Sequence, residues 1–148
     1  MRKILLATDG SKHSARAAHT AGHLSSALAV PVDVINVVSD GALVTAGPIH
    51  EYARTEQIVI TQRELLQSMG AEFVNDSADV VRKAGGRVGT TKVLIGSPAH
   101  EICRYAEENE VDCIVMGRRG LGDVGGLLMG SVSHKVGHLT GLTLITTE

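Results

Sequence analysis

Short apolar, often β-branched runs alternate along this chain with stretches whose apolar residues recur at helical spacing. The runs fall at residues 3–8, 32–38, 88–95, 112–116 and 142–146. Runs of this length, bounded by turn residues, fit strands buried on both faces. Strands joined by connections long enough to hold a helix pair in parallel, and such crossovers are right-handed. The pattern β-α-β-α-β-α-β-α-β therefore predicts an α/β fold, a doubly wound five-stranded parallel sheet with helices on both faces.

The connections carry their own signals. The first run ends in Asp9-Gly10-Ser11, and Ser11 is a good N-cap for the alanine-rich segment that follows. Ala17, Ala18, Ala21, Leu24 and Leu28 give that helix one thin apolar stripe, suited to lying close on a sheet, and Pro31 is expected to stop it. Residues 39–54, with Gly41, Gly47 and Pro48, have no clear period and read as a surface loop. A helical stretch follows, marked by Ile58, Leu65, Met69, Phe73 and Val81; Gly70 is expected to be a soft spot in it, and Gly85-Gly86 to end it. The third run closes on Gly96-Ser97-Pro98, and Pro98 suits the first turn of a helix that reaches about Asn109, with Ile102 and Ala106 facing inward. Residues 117–130 form a glycine-rich loop, and Ser131 opens a last helix that reaches about Thr140.

Composition narrows the function. The 148 residues and 15.5 kDa suit one domain over residues 1–148, with no need for a disulfide or metal staple. Aromatic residues are 2% of the chain, too few to stack the bases of a single-stranded nucleic acid. The formal charge of −2, from 14 Lys and Arg against 16 Asp and Glu, argues against a duplex-binding surface. Cys103 and Cys113 form no CxxC and read as reduced thiols. The first residues lack the apolar stretch of a signal peptide, and no apolar run is long enough to span a bilayer. The expectation is a soluble cytoplasmic protein with neither nucleic-acid binding nor membrane insertion.

The strongest chemical feature is the set Gly117, Gly120, Gly130 and Ser131. Glycines let the backbone come close to an anionic ligand, and a nest of N–H groups can point at phosphate oxygens. Ser131 and Ser133 stand at the start of a helix, where free N–H groups and the positive dipole end favour phosphate. Arg118 and Arg119 could add positive charge. No lysine lies between Gly117 and Gly130, so this is not a P-loop, and no GxGxxG follows the first strand. In an open doubly wound sheet, ligands bind outside the strand carboxyl ends where the strand order reverses. The loops at residues 9–11 and 117–130 should flank that crevice.

At these residues the chain resembles the ATP-binding branch of the universal stress protein family. The resemblance runs through ILLATDGS, Gly96-Ser97-Pro98, DCIVMGRRG and GSVSHKV, and the glycine pattern G-x2-G-x9-G-[S/T] is complete. It implies a Rossmann-like sheet with strand order 3-2-1-4-5. It implies ATP as ligand with Mg²⁺ or Mn²⁺ alongside. Asp9 would accept from the ribose hydroxyls, Ala7 and Val37 would line the adenine slot, and Gly117 would pack near the ribose. Gly120, Gly130, Ser131 and Ser133 would hold the phosphates. It implies a stress-response regulatory protein that signals through nucleotide state or a protein partner, with at most slow hydrolysis, and a homodimer paired through its last strand. One departure is Leu142, where the family commonly has Pro before that strand.

Other readings of the same residues stand beside these. Asp9 could be a turn residue before Ser11, and Ala7 and Val37 plain core. Asp123 is the one carboxylate in the glycine-rich loop that could orient a water, and it also suits a turn. The alternative function is an adenine-nucleotide hydrolase that splits ATP, but such enzymes carry a Ser- and Gly-rich motif where this chain has Asp9-Gly10-Ser11-Lys12. A phospho-acceptor receiver would need Asp after the third strand and Lys after the fifth, where this chain has Gly96 and Thr146. The pairs His19/His23 and His134/His138 are each spaced to share a helix face, a spacing that can bind metal, but no third ligand of matching geometry is visible and they read as solvated helix-face histidines.

Overall fold

The computed structural model describes residues 1–39, 62–121 and 129–148. In chain order the elements are β1 (Ile4–Ala7), α1 (Lys12–Leu28), β2 (Pro31–Ser39), α2 (Gln62–Lys83), β3 (Arg87–Gly96), α3 (Pro98–Glu108), β4 (Cys113–Gly117), α4 (Ser131–Leu139) and β5 (Thr143–Thr147). The strands form one parallel sheet in the order β3-β2-β1-β4-β5. The expected architecture and strand order are therefore present. Of the expected loop at residues 39–54, only Ser39 is described, and it ends β2; the start of the second helical stretch at Ile58 also lies outside the described residues.

Alternation of side chains along β1 builds two cores. Ile4 and Leu6 point to one face, where they meet Ala17, Ala18 and Ala21 of α1 and Val74, Ala78 and Val81 of α2. Leu5 and Ala7 point to the other, with Ile102 and Ala106 of α3 and Val136 of α4. Ile4, Leu5 and Leu6 have no exposed surface. The alanine stripe of α1 meets the sheet at short range, as its thin side chains allow.

Two local expectations change. The first helix ends at Leu28, before Pro31, because Ala29 adopts a left-handed backbone with φ 54° and its N–H donates to the Ser25 carbonyl. Pro31 instead opens β2, and the first position of a strand tolerates its missing N–H. Gly70 is not a soft spot, since α2 runs through it unbroken. A Cβ there would lie 2.5 Å from Asn36 Oδ1, so glycine serves the close approach of α2 to β2. Leu142, where a proline was the family expectation, donates its N–H to Thr140 Oγ1 at 3.1 Å, a bond that proline lacks.

One buried charge ties β1, β2, β3 and α3 together. Asp33 is 1% exposed. Its Oδ1 accepts from Thr90 N–H at 2.7 Å, and its Oδ2 lies 3.0 Å from Lys3 Nζ and 3.2 Å from the Tyr105 hydroxyl. A shift in the β2–β3 register between Val32 and Val34 makes room for it. At Gly89, inside that shift, a Cβ would sit 2.4 Å from Asp33 Oδ1. Burial, and then the charge of Asp33, push the Tyr105 hydroxyl up to about 12.

Tyr105→Phe removes a hydrogen bond to a buried carboxylate and should cost about 1.5–3 kcal/mol in urea unfolding. The pH dependence is a second readout. An unfolded tyrosine titrates at about 10, whereas Tyr105 in the fold holds its proton to about 12. The contribution is therefore full below about pH 10 and falls as pH rises toward 12. The Phe variant should lack that component of the decline.

Candidate functional site

The order β3-β2-β1-β4-β5 reverses direction between β1 and β4. Their carboxyl ends lie side by side, with Ala7 paired to Met116 on one side and to Ile35 on the other. The loops that leave them must part, and a cavity of about 280 Å³ opens there.

The first wall is the end of β1. Thr8 N–H donates to the Ile35 carbonyl at 2.9 Å, and the Thr8 carbonyl accepts from Asn36 Nδ2 at 2.8 Å. Ser77 Oγ donates to Thr8 Oγ1 at 2.8 Å, so this corner is pinned from α2. Asp9 follows. Its Oδ1 accepts from Ser11 N–H at 3.0 Å, the turn role open to it in the sequence. Its Oδ2 accepts from Leu121 N–H at 3.1 Å, across the cavity mouth. Ser11 then caps α1, its Oγ accepting from Ser14 N–H at 3.1 Å.

The second wall comes from β4 and the first turn of α4. A Cβ on Gly117 would lie 2.8 Å from His13 Cβ, and one on Gly120 would lie 2.4 Å from Asp9 Oδ2. At Gly117 the chain is too close to the backbone of His13 and Arg119 for any side chain, whereas a side chain at position 120 would displace the Asp9 carboxylate. Gly130 is the N-cap of α4, and its N–H donates to the Arg118 carbonyl at 2.8 Å. Ser133 Oγ donates to the same carbonyl at 2.7 Å. The third wall is apolar: Ile35 and Val37 of β2, with Pro98 and Ile102 of α3.

Every site residue singled out in the sequence lines this cavity: Ala7, Asp9, Val37, Gly117, Gly120, Gly130, Ser131 and Ser133. Arg119 lines it too, whereas the Arg118 guanidinium pairs with the Glu148 carboxylate, so Arg118 does not bring its charge to the cavity. Asn36, Met116 and Leu121 are lining residues that sequence reasoning missed. Asn36 had a visible signal, a lone amide inside a β-branched run. Met116 and Leu121 had none. Among the described residues, Asp9 is the one carboxylate on the lining, and no group of three His, Cys, Asp or Glu is placed to hold a metal. Asp123 lies outside the described residues.

Fold and cavity together define a Rossmann-like α/β protein with a ligand-sized crevice at its topological switch point. The chain belongs to the universal stress protein family, whose family model matches residues 1–141. It is 30% identical over 138 residues to universal stress protein YxiE of Bacillus subtilis, an alignment covering 93% of each chain. A solved universal stress protein in complex with cAMP matches with TM-score 0.69 and 21% identity, covering 99% of this chain and 96% of that one. The universal stress protein of Archaeoglobus fulgidus in complex with dAMP matches with TM-score 0.69 and 18% identity, covering 100% of this chain and 98% of that one.

Gly120→Ala tests the contact across the cavity mouth. The added methyl would meet Asp9 Oδ2, so the Leu121 amide should lose its acceptor. Hydrogen exchange at Leu121 is expected to quicken at least tenfold, with the amides of β1 and β4 unchanged.

Proposed function

We propose that the chain binds an adenine nucleotide, ATP by the glycine pattern, at this cavity and acts as a regulatory protein rather than as an efficient enzyme. The observation that carries the reading is the cavity lining itself. One carboxylate, an apolar slot, close-approach glycines and a helix N-terminus with two serines face one crevice. That set fits a ribose diol, a purine and a phosphate chain in turn. The cAMP and dAMP complexes of two structural neighbours support adenine recognition at such a fold.

In this reading Ala7 and Val37 flank the base, with Gly117 beside the ribose. Asp9 Oδ2 accepts from ribose hydroxyls in place of Leu121 N–H. Gly120, Gly130, Ser131 and Ser133 serve the phosphates, and the N–H groups at the start of α4 add the positive end of its dipole. The Gly130 N–H and the Ser133 hydroxyl, both now turned to the Arg118 carbonyl, would turn to phosphate oxygens. A divalent ion, Mg²⁺ or Mn²⁺, would neutralise phosphate charge; with Asp9 as the lining carboxylate, it would be held chiefly by the nucleotide. Hydrolysis in this reading is slow at most. We also place a homodimer contact at β5, the sheet edge beside α4, whose backbone groups on one side have no strand partner among the described residues.

Calorimetry with ATP and Mg²⁺ is the direct test, alongside mass spectrometry of ligand released from fresh protein. Binding is expected in the native chain and should fall at least tenfold in Gly130→Val with circular dichroism unchanged. At position 130 a Cβ would already lie 3.2 Å from the Arg118 carbonyl oxygen. Absence of ATP affinity in the native chain would end the reading, and normal retention by Gly130→Val would overturn the placement of the phosphates.

A further inference from the structure

We propose that His134 and His138 form a two-point chelate for a divalent transition-metal ion, Zn²⁺ or Cu²⁺ in character, on the outer face of α4. The two residues are i,i+4 neighbours on one helix. Their Nε2 atoms are 3.2 Å apart, and their rings meet edge to face with centroids separated by 4.5 Å. Both side chains are exposed, so the rings are free to turn toward a shared ion. Neither residue lines the cavity.

The distance suits a metal. Zinc bonds an imidazole nitrogen at about 2.0–2.1 Å. Two nitrogens 3.2 Å apart then subtend about 100° at the ion. That falls between the square and the tetrahedral angles, the geometries that Cu²⁺ and Zn²⁺ prefer, and imidazole is a favoured ligand of both. Without metal, the facing nitrogens must share a proton, one ring donating and the other accepting. A cation takes both Nε2 lone pairs at once, and the donating ring shifts its proton to its own Nδ1, so that each ring stays a neutral imidazole. Water fills the remaining coordination positions.

The site depends on the helix and acts back on it. α4 has 9 residues, too few to hold a helix in water without tertiary support. The two nitrogens approach this closely only while α4 is helical. An ion that bridges them therefore binds the folded state more tightly than the unfolded chain and stabilises it by mass action. The same helix presents Ser131, Val132 and Ser133 to the cavity from its first turn. The chelate would steady that wall from the turn behind it. This inference does not depend on the identity of the cavity's ligand.

The test is Zn²⁺ titration by calorimetry of the full chain, free of metal and nucleotide, in a mildly alkaline buffer. His19→Gln and His23→Gln are present throughout, because those rings also meet edge to face, with centroids 4.4 Å apart on α1. One Zn²⁺ per chain is expected, with a rise in Tm. Adding either His134→Gln or His138→Gln should weaken binding at least tenfold and remove the rise in Tm, with circular dichroism unchanged. No binding up to millimolar Zn²⁺, or affinity retained within a few-fold after either α4 substitution, would overturn the proposal.

Discussion

Parallel pairing of β1 on both its edges is the constraint from which the rest follows. Ile4–Ala7 hydrogen-bonds to β2 on one side and to β4 on the other. A central strand of four residues has no solvent face, so each of its side chains must be apolar and covered. That forces a helix layer onto both faces, one around Ile4 and Leu6 and one around Leu5 and Ala7. It also sets where a ligand can enter. The connections after β1 and β4 leave in opposite directions, and only at the carboxyl ends of those two strands does the double layer part.

The contacts at the two described ends of the glycine-rich segment are made by the groups that a nucleotide would use. Asp9 Oδ2 holds Leu121 N–H, while Gly130 N–H and Ser133 Oγ hold the Arg118 carbonyl. Ligand entry would therefore exchange hydrogen bonds rather than add them. The net gain from each exchange is the difference between two bonds of about 1 kcal/mol, with more where charge is involved. In the proposed complex, affinity would then rest mainly on the apolar slot and on phosphate charge at the start of α4. A nucleotide bound as proposed would shift a balance between two sets of satisfied hydrogen bonds.

The fold was legible in the sequence because its signal is redundant. Five apolar runs, each bounded by Gly, Pro, Asp or Ser, repeat one unit and leave a single layer architecture open. The site was legible for a narrower reason. Glycine at positions 117 and 120 marks close approach, and the structure shows what is approached: His13 and Asp9. What stayed hidden depends on partners distant in sequence. Nothing local distinguishes Gly70 as a packing glycine from a weak point, since its reason is Asn36 on another strand. Ala29 ends α1 in a left-handed backbone that alanine rarely adopts, so Pro31 looked like the stop. The pairing of Arg118 with Glu148 joins a loop to the far end of the chain, beyond the reach of any local pattern.

The two ends of the sheet carry different kinds of polar contact. At the amino end, the buried Asp33 carboxylate is held by Lys3, Thr90 and Tyr105. A buried charge of this kind is costly to uncover, because breaking one partner leaves the carboxylate without compensation. At the carboxyl end, the polar contacts join loop backbone to side chains beside an open cavity, and each can be replaced by water or ligand at small cost. Regions that must move are drawn from the less stable parts of a fold. The sheet separates the two: it locks register where β2, β3 and α3 meet, and leaves the crest over β1 and β4 free to rearrange without disturbing the core beneath it.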